Sequence, residues 1–305
     1  MNRTAKRTLH AVSLPVLAVM AVLAPLRQGS AQDVAEKPQA SVATVLVDAL
    51  RATEARVHSV RLELETSGRM QGGLSFSTRG SLRVLRTEQG RAAAMHSVVE
   101  FDFADGLGGS METLTTDDGV VVLQQDPTFG EVCVRIDKAI VGDLEWAGMV
   151  LEKTDLPFQG DPRGSAPLGS AMLSDLALRF DLQPIERPAD PARNGRWFGG
   201  DRLKAAKIEE AGNELPISDR VEVFVREADN ALLEVVHLRA GEIVQRIHVK
   251  LLVLDEPMPL DSFRMRDPSK KPRDVKDHPP MWQQIEQVLE RAMARAGGEL
   301  RPSKR

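Results

Sequence analysis

Residues 220–254, RVEVFVREADNALLEVVHLRAGEIVQRIHVKLLVL, decide the fold. In the first run Val221, Val223 and Val225 alternate with Arg220, Glu222 and Phe224. A period of two marks a strand with one face buried. Asn230 interrupts the first run and Ala240-Gly241 the second, so short turns join three strands that must run antiparallel. In the last arm the spacing predicts that Ile243, Ile247, Val249, Leu251 and Val253 face one way. Arg246, His248 and Lys250 then face the other.

The same period recurs toward the amino terminus. Val60, Leu62 and Leu64 alternate with Arg61, Glu63 and Glu65. Leu74 and Phe76, then Leu82 and Val84, form the next arm, and Val99, Phe101 and Phe103 share a face opposite Glu100 and Asp102. METLTTDDGVVVLQQ reads as a hairpin around Asp118-Gly119. Val132, Val134 and Ile136 make one more strand, and LALRFDLQP, residues 176–184, is expected to be another. Helical spacing appears four times. Ser41 is a fitting N-cap for residues 42–57. Residues 137–153 carry Trp146 and Met149, residues 169–177 carry Met172, and residues 281–296 form an amphipathic helix after a polar tether at 266–280. About eleven strand signals with few helices imply a mainly β (α+β) class. The expected architecture is one large curved antiparallel sheet, a half-open barrel with covering or plugging helices.

The chain has 305 residues, 42% hydrophobic and 28% charged, enough apolar matter for a core. Its start reads as a signal peptide over residues 1–31: Arg3, Lys6 and Arg7, an apolar run at 11–25, then small residues Gly29, Ser30 and Ala31. An uncleaved anchor is the alternative. Cleavage removes four bases and no acid, moving the formal charge from −4 to −8. Residues 32–40 read as a flexible lead-in, 41–275 as the barrel domain and 276–305 as a C-terminal helix and tail. A soluble, exported and, in a bacterium with two membranes, periplasmic product is expected.

Several function classes drop out. The acidic balance offers no field for nucleic acid. One cysteine excludes a disulfide framework and multi-cysteine metal sites. His58, His96, His237 and His248 are scattered on expected strands, with no HExxH or HxH spacing. No GxSxG, Walker A or GxGxxG motif occurs. Asp117-Asp118-Gly119 reads as a turn, since a calcium loop needs further ligands at fixed spacing. Cys133 has no histidine near it in sequence and reads as a shielded thiol. No catalytic residue, metal or cofactor is expected.

The order of these elements resembles the LolA/LolB superfamily of periplasmic lipoprotein carriers over roughly residues 41–275. HSVRLELETSG, GSLRVLR and TTDDGVVVLQQDPTFGEVCV are similar to its first strands and hairpin, with Arg86 matching the arginine that closes the second strand. MPLDSFRMRDP resembles the segment that follows its closing hairpin. Thr87 stands where the family usually has proline, and the loop 185–201 and the helix 281–296 look like additions.

The resemblance implies an apolar groove that shelters lipid or lipoprotein acyl chains. Exposing an acyl chain to water costs about 0.8 kcal/mol per CH₂. A chain of about sixteen carbons therefore calls for on the order of 10 kcal/mol of apolar cover. The expected wall is Leu62, Leu64, Phe76, Leu82, Val99, Phe101, Phe103, Trp146, Met149 and Met172, with Arg86 as a gating residue. The helix pair Trp146 and Met149 is expected to oppose Phe101 and Phe103 across the groove. The partners implied are an inner-membrane transporter and an outer-membrane receptor, and the chain is expected to be a monomer. The alternative is a sensor or adaptor of the same fold that binds a protein partner, as periplasmic regulators bind an anti-sigma factor. The added final helix favours this alternative.

Overall fold

The computed structural model describes residues 41–70, 73–88, 92–104, 106–127, 130–151, 168–187, 194–204 and 217–297. The expectations for residues 1–31 and 32–40 lie outside them.

A first helix, α1 (Val42–Arg56), begins where Ser41 Oγ accepts the Thr44 amide at 3.2 Å. Six strands follow: β1 (Ser59–Arg69), β2 (Ser75–Arg86), β3 (Ala92–Phe103), β4 (Gly108–Thr116), β5 (Gly119–Asp126) and β6 (Gly130–Asp137). The β4–β5 turn is Asp117-Asp118, and Gly119 opens β5 at φ 131°. A Cβ there would lie 2.3 Å from the Ile136 carbonyl oxygen, so the close approach of β6 requires glycine. Then come α2 (Lys138–Val150) and α3 (Ser170–Arg179). The second half is β7 (Gln183–Pro184), β8 (Gly195–Asp201), β9 (Arg220–Arg226), β10 (Leu232–Arg239), β11 (Glu242–Leu254), β12 (Arg273–Asp274) and α4 (Pro279–Arg295).

The twelve strands among the described residues form one open sheet in the order β12-β6-β5-β4-β3-β2-β1-β11-β10-β9-β8-β7. Every pairing is antiparallel except the two-residue parallel contact of β12 with β6. β11 returns beside β1, so the first and last long strands meet in the middle. The sheet is a half-open barrel of twelve described strands against about eleven expected. The expected loop 185–201 carries β8 at Gly195–Asp201, whose glycines and arginine mask an alternation that only its pairing with β9 reveals, and β12 is too short to leave a period-two signal.

The helices share one face, here called inner. Leu46 and Leu50 of α1 and Leu173 and Leu176 of α3 pack with Val60, Leu62, Leu82, Val84, Val223 and Val235. On the β4–β6 half, Trp146 and Ala147 of α2 meet Ile285, Val288, Leu289 and Ala292 of α4 over Val122, Val134 and Ile136. The amphipathic C-terminal helix thus spends its apolar stripe on its own sheet.

Two β-bulges revise the alternation expected for β11. One register shift falls opposite Glu63/Leu64, so Lys250 is the extra residue and the faces exchange beyond it. Leu252 and Leu254, rather than Leu251 and Val253, pack against the helix-covered core. The other falls opposite His237/Leu238 and turns Ile243 away from Ile247, leaving it 55% exposed. A further revision concerns residues 176–184. Leu176 continues the helix, the Phe180 amide closes on the Leu176 carbonyl at 2.8 Å, and extended backbone begins only at Phe180. Leu173 and Leu176 both reach the core at helical spacing, which overrides the short alternation.

The segment after β11, residues 255–270, is an ordered strap on the outer face, and it takes in the start of the tether expected at 266–280. Asp255 accepts the His58 amide at 2.7 Å, and the Glu256 carbonyl accepts Ser59 Oγ at 2.6 Å. Arg83 of β2 donates to Ser262 Oγ at 2.6 Å and lies 4.9 Å over the Phe263 ring. Met258 and Phe263 pack on Ala94, Leu85 and Leu114. Arg266 then reaches Glu100 and Glu112, and Lys270 reaches Glu131 on β6 at 2.6 Å. The strap crosses from β1 to the β6 edge, where the chain turns into β12 and brings α4 to the inner face.

Candidate functional site

The register places the candidate wall residues of the strands on the inner face. Leu62 and Leu82 are buried beneath α1 and α3, with Leu64 and Met172 half-buried at the margin of that cluster. Phe101 and Phe103 form a separate cluster with Met70, flanked by Leu74, Phe76 and Leu107. Their rings meet edge to face with centroids 6.1 Å apart. Among the described residues no helix contributes to this cluster, which strands β1–β4 and their connections build. The Phe101 ring lies across β4 at Gly109, where a Cβ would sit 2.5 Å from Cζ. Val99 is buried between the clusters.

Trp146 belongs to the other half of the sheet, in the cluster with Met111, Val134 and Ile285. It shares no cluster with Phe101 and Phe103. The side chain of Met149 lies outside the described residues. Arg86, the expected gate, ends β2 beside the C-terminus of α1. Its Nη1 donates to the carbonyls of Glu54 at 2.6 Å and Val57 at 2.8 Å. A cation there offsets the negative end of the helix dipole, so Arg86 fixes α1 to the sheet.

Glu54 is a buried acid the motifs do not single out. It accepts the amides of Leu168 at 3.1 Å and Ser170 at 3.0 Å, and the Ser170 hydroxyl. A side chain of α1 thereby caps α3, whose own N-cap is Gly169. Burial pushes the Glu54 carboxyl above its ordinary range, against the bonds from Ser170 and Leu168. The signal was available: Glu54 follows Val47 and Leu50 on the apolar stripe of the helix.

The histidines stand apart. His96 Nε2 contacts buried Glu112 on β4 at 2.8 Å. His237 packs edge to face on Phe180, its Nδ1 3.1 Å from Ser218 Oγ. Burial, helped by Arg202 and Arg179, lowers its pKa to about 4. The unfolded chain takes up this proton near pH 6.5 and the folded chain only near 4. Stability is therefore full above about pH 6.5 and falls with acidification, by about 3 kcal/mol at pH 4. Urea unfolding of wild type and His237→Gln at stepped pH checks this: the difference between them should change across that window and level off below it.

Cys133 lies on the outer face of β6, and burial, then Glu131 beside it, pushes its thiol pKa up, opposite to an activated nucleophile. Among the described residues no group of three or more His, Cys, Asp or Glu side chains is placed to hold a metal ion. One polar hollow of about 560 Å³ lies at the ends of β4–β6, lined by Glu100, Gly109, Ser110, Gln125, Glu131 and Arg266, so it borders the strand that the Phe101 ring lies across but carries polar rather than apolar side chains. Among the described residues no helix is long and apolar enough to cross a membrane.

No protein-family model matches the sequence, and no curated protein does. Solved structures do match. MucB is 14% identical over 73% of this chain, with a TM-score of 0.38, and the match spans 62% of MucB. A putative outer membrane lipoprotein-sorting protein domain from Vibrio parahaemolyticus is 10% identical, with 73% of this chain and 97% of that one covered and a TM-score of 0.28. A LolA superfamily protein from Nitrosomonas europaea is 9% identical, with coverage of 73% and 97% and a TM-score of 0.25. At these identities and scores the likeness carries nothing about ligand or partner. The architecture itself is one open sheet, half a barrel, with its described helices on the inner face.

Proposed function

We propose that this chain is a non-enzymatic, exported binder of lipid or lipoprotein acyl chains, working as a monomeric carrier in the periplasm. The observation that carries this reading is the Met70–Phe101–Phe103 cluster with Leu74, Phe76 and Leu107. It is a buried aromatic and aliphatic cluster on the inner face, 7–9% exposed at Met70, Phe101 and Phe103, to which no helix among the described residues contributes, beside two clusters that helices do cover. Strand-borne side chains of this kind supply apolar cover for an acyl chain without any reacting group. Residues 1–31 would direct export, and a transporter and a receptor in the two membranes would load and unload it.

The adaptor reading gains nothing from α4, whose buried residues Ile285, Val288 and Leu289 already pack on α2 and the sheet. The test is mass spectrometry of lipid extracted from the protein purified from the periplasm of its native host. Acyl lipid or acylated peptide in stoichiometric amount is the expected result. A protein that comes away without lipid, and that binds no fluorescent fatty acid when purified, overturns the reading.

A further inference from the structure

Where the apolar clusters of the inner face stop, the strands carry small side chains. Thr66 lies opposite Thr78, Gly80 opposite Val99, and Ser97 opposite Thr113. Period-two alternation puts all six on the inner face, in a diagonal trough of small side chains running from β1 to β4 that is closed over Thr66, Thr78 and Val99 in this structure and that a ligand would have to open. Leu64 and Leu82 of the first cluster lie on one side of it and Met111 of the second on the other. Phe76 and Phe101 close the end nearest the aromatic cluster.

One side chain in this trough is anomalous. Thr78 is 3% exposed, and its hydroxyl is shut off from solvent with no hydrogen-bond partner. A buried hydroxyl normally finds one, and leaving it unpaired is unfavourable. Valine has the same shape without that penalty, so stability alone does not account for a threonine here. A ligand does, if it brings an acceptor to that point. An acyl chain lying in the trough has one such atom, the carbonyl oxygen of its ester or amide, at the end of an otherwise apolar tail.

We infer that the Thr78 hydroxyl donates a hydrogen bond to the acyl carbonyl of the bound ligand, so that the site selects acyl esters and amides over plain alkyl chains. The inference rests on the acyl-binding reading above and sharpens it. The apolar walls hold the tail without regard to its length or saturation, and Thr78 fixes how deep it enters. Thr66, on the neighbouring strand, gives the carbonyl a second polar neighbour.

Two probes that differ only at the carbonyl decide the matter: palmitoyl-lysophosphatidylcholine and its 1-O-hexadecyl ether analogue. Each is titrated against a bound fluorescent fatty acid, using wild type, Thr78→Val and Thr78→Ser. The expected result is that wild type and Thr78→Ser prefer the ester by about fivefold to tenfold, one hydrogen bond's worth. Thr78→Val should bind both probes alike and melt no lower than wild type, because it loses an unpaired polar group. Equal binding of the two probes by wild type, or an ester preference that survives in Thr78→Val, overturns the Thr78 assignment while leaving the acyl site standing. If neither probe displaces the fatty acid and none binds wild type, the acyl-binding reading itself fails, and this inference with it.

Discussion

Glu112→Ala should lower the unfolding free energy by about 4 kcal/mol, because it leaves buried donors unpaired and frees the outer strap. Glu112, the acid on the outer face of β4, is only 2% exposed in its side chain. It accepts from the backbone amide of Arg266 at 2.6 Å and contacts His96 Nε2 at 2.8 Å. Arg266 Nε adds a longer contact at 3.5 Å, and its Nη1 pairs with Glu100. The Arg266 guanidinium is about half exposed, so water rehydrates it readily after the change. The loss comes instead from the Arg266 amide and the His96 ring, both kept from solvent by the strap.

For a chain of this size that loss is about 8 °C in melting temperature. Glu112→Gln keeps an acceptor oxygen for the amide and should cost about half as much. Amide exchange should quicken first in residues 256–270, the strap itself, and then in α4, which the strap delivers to the inner face. Thermal melting and hydrogen exchange of the two variants check this. A Glu112→Ala protein that melts with wild type would show that the strap is held by Met258 and Phe263 alone.

That strap marks the boundary of what a sequence can reveal. MPLDSFRMRDP stood out as a motif, yet its partners Arg83, Glu112 and Glu131 lie far away in the chain and no local period connects them. The antiparallel sheet was legible because alternation is a local property, visible in Val221, Val223 and Val225 without knowing their neighbours. Its failures are local too. An extra residue at Lys250 leaves the string of apolar residues unbroken while exchanging the faces, so Leu251 and Leu252 are indistinguishable until β1 is laid beside them. For the candidate site, the period fixed which residues share the inner face but not which of them touch. Phe76, Phe101 and Phe103 meet because β2 and β3 pair Phe76 with Phe103. Trp146 goes elsewhere because α2 covers β5 and β6. Thr78 carried a sequence signal, a hydroxyl at an inner position between Phe76 and Gly80, but only its missing partner gives it meaning.

Phe101→Glu should leave the protein folded and abolish acyl binding. The change places a carboxylate where a buried ring now stands, and in a closed core such an uncompensated charge unfolds a domain. Phe101 is in a different situation. Its cluster is made by the ends of β1–β4 and their connections, with no helix above it among the described residues, and although its ring is 7% exposed, Glu100 and Asp102 beside it in sequence are exposed. A glutamate side chain has the length to carry its charge from there toward the end of the sheet. The two helix-covered clusters, which hold most of the buried leucines and valines, are untouched.

A groove wall tolerates the charge because water can enter when no ligand is present. An acyl tail does not, since its methylenes would have to lie against a carboxylate or leave it desolvated, and affinity should fall more than about tenfold. Far-UV circular dichroism, thermal melting and displacement of a fluorescent fatty acid separate the cases. Phe101→Ala supplies the second measurement: in plain core the truncation costs about 3–5 kcal/mol, whereas a wall that already borders a fillable space loses less. Two results would remove Phe101 from the binding surface. One is a folded Phe101→Glu protein that binds fatty acid as wild type does. The other is an unfolded Phe101→Glu protein together with a full core penalty for Phe101→Ala, which would make the aromatic cluster a third piece of ordinary core and move the search for the acyl site along the trough toward Thr78 and Val99.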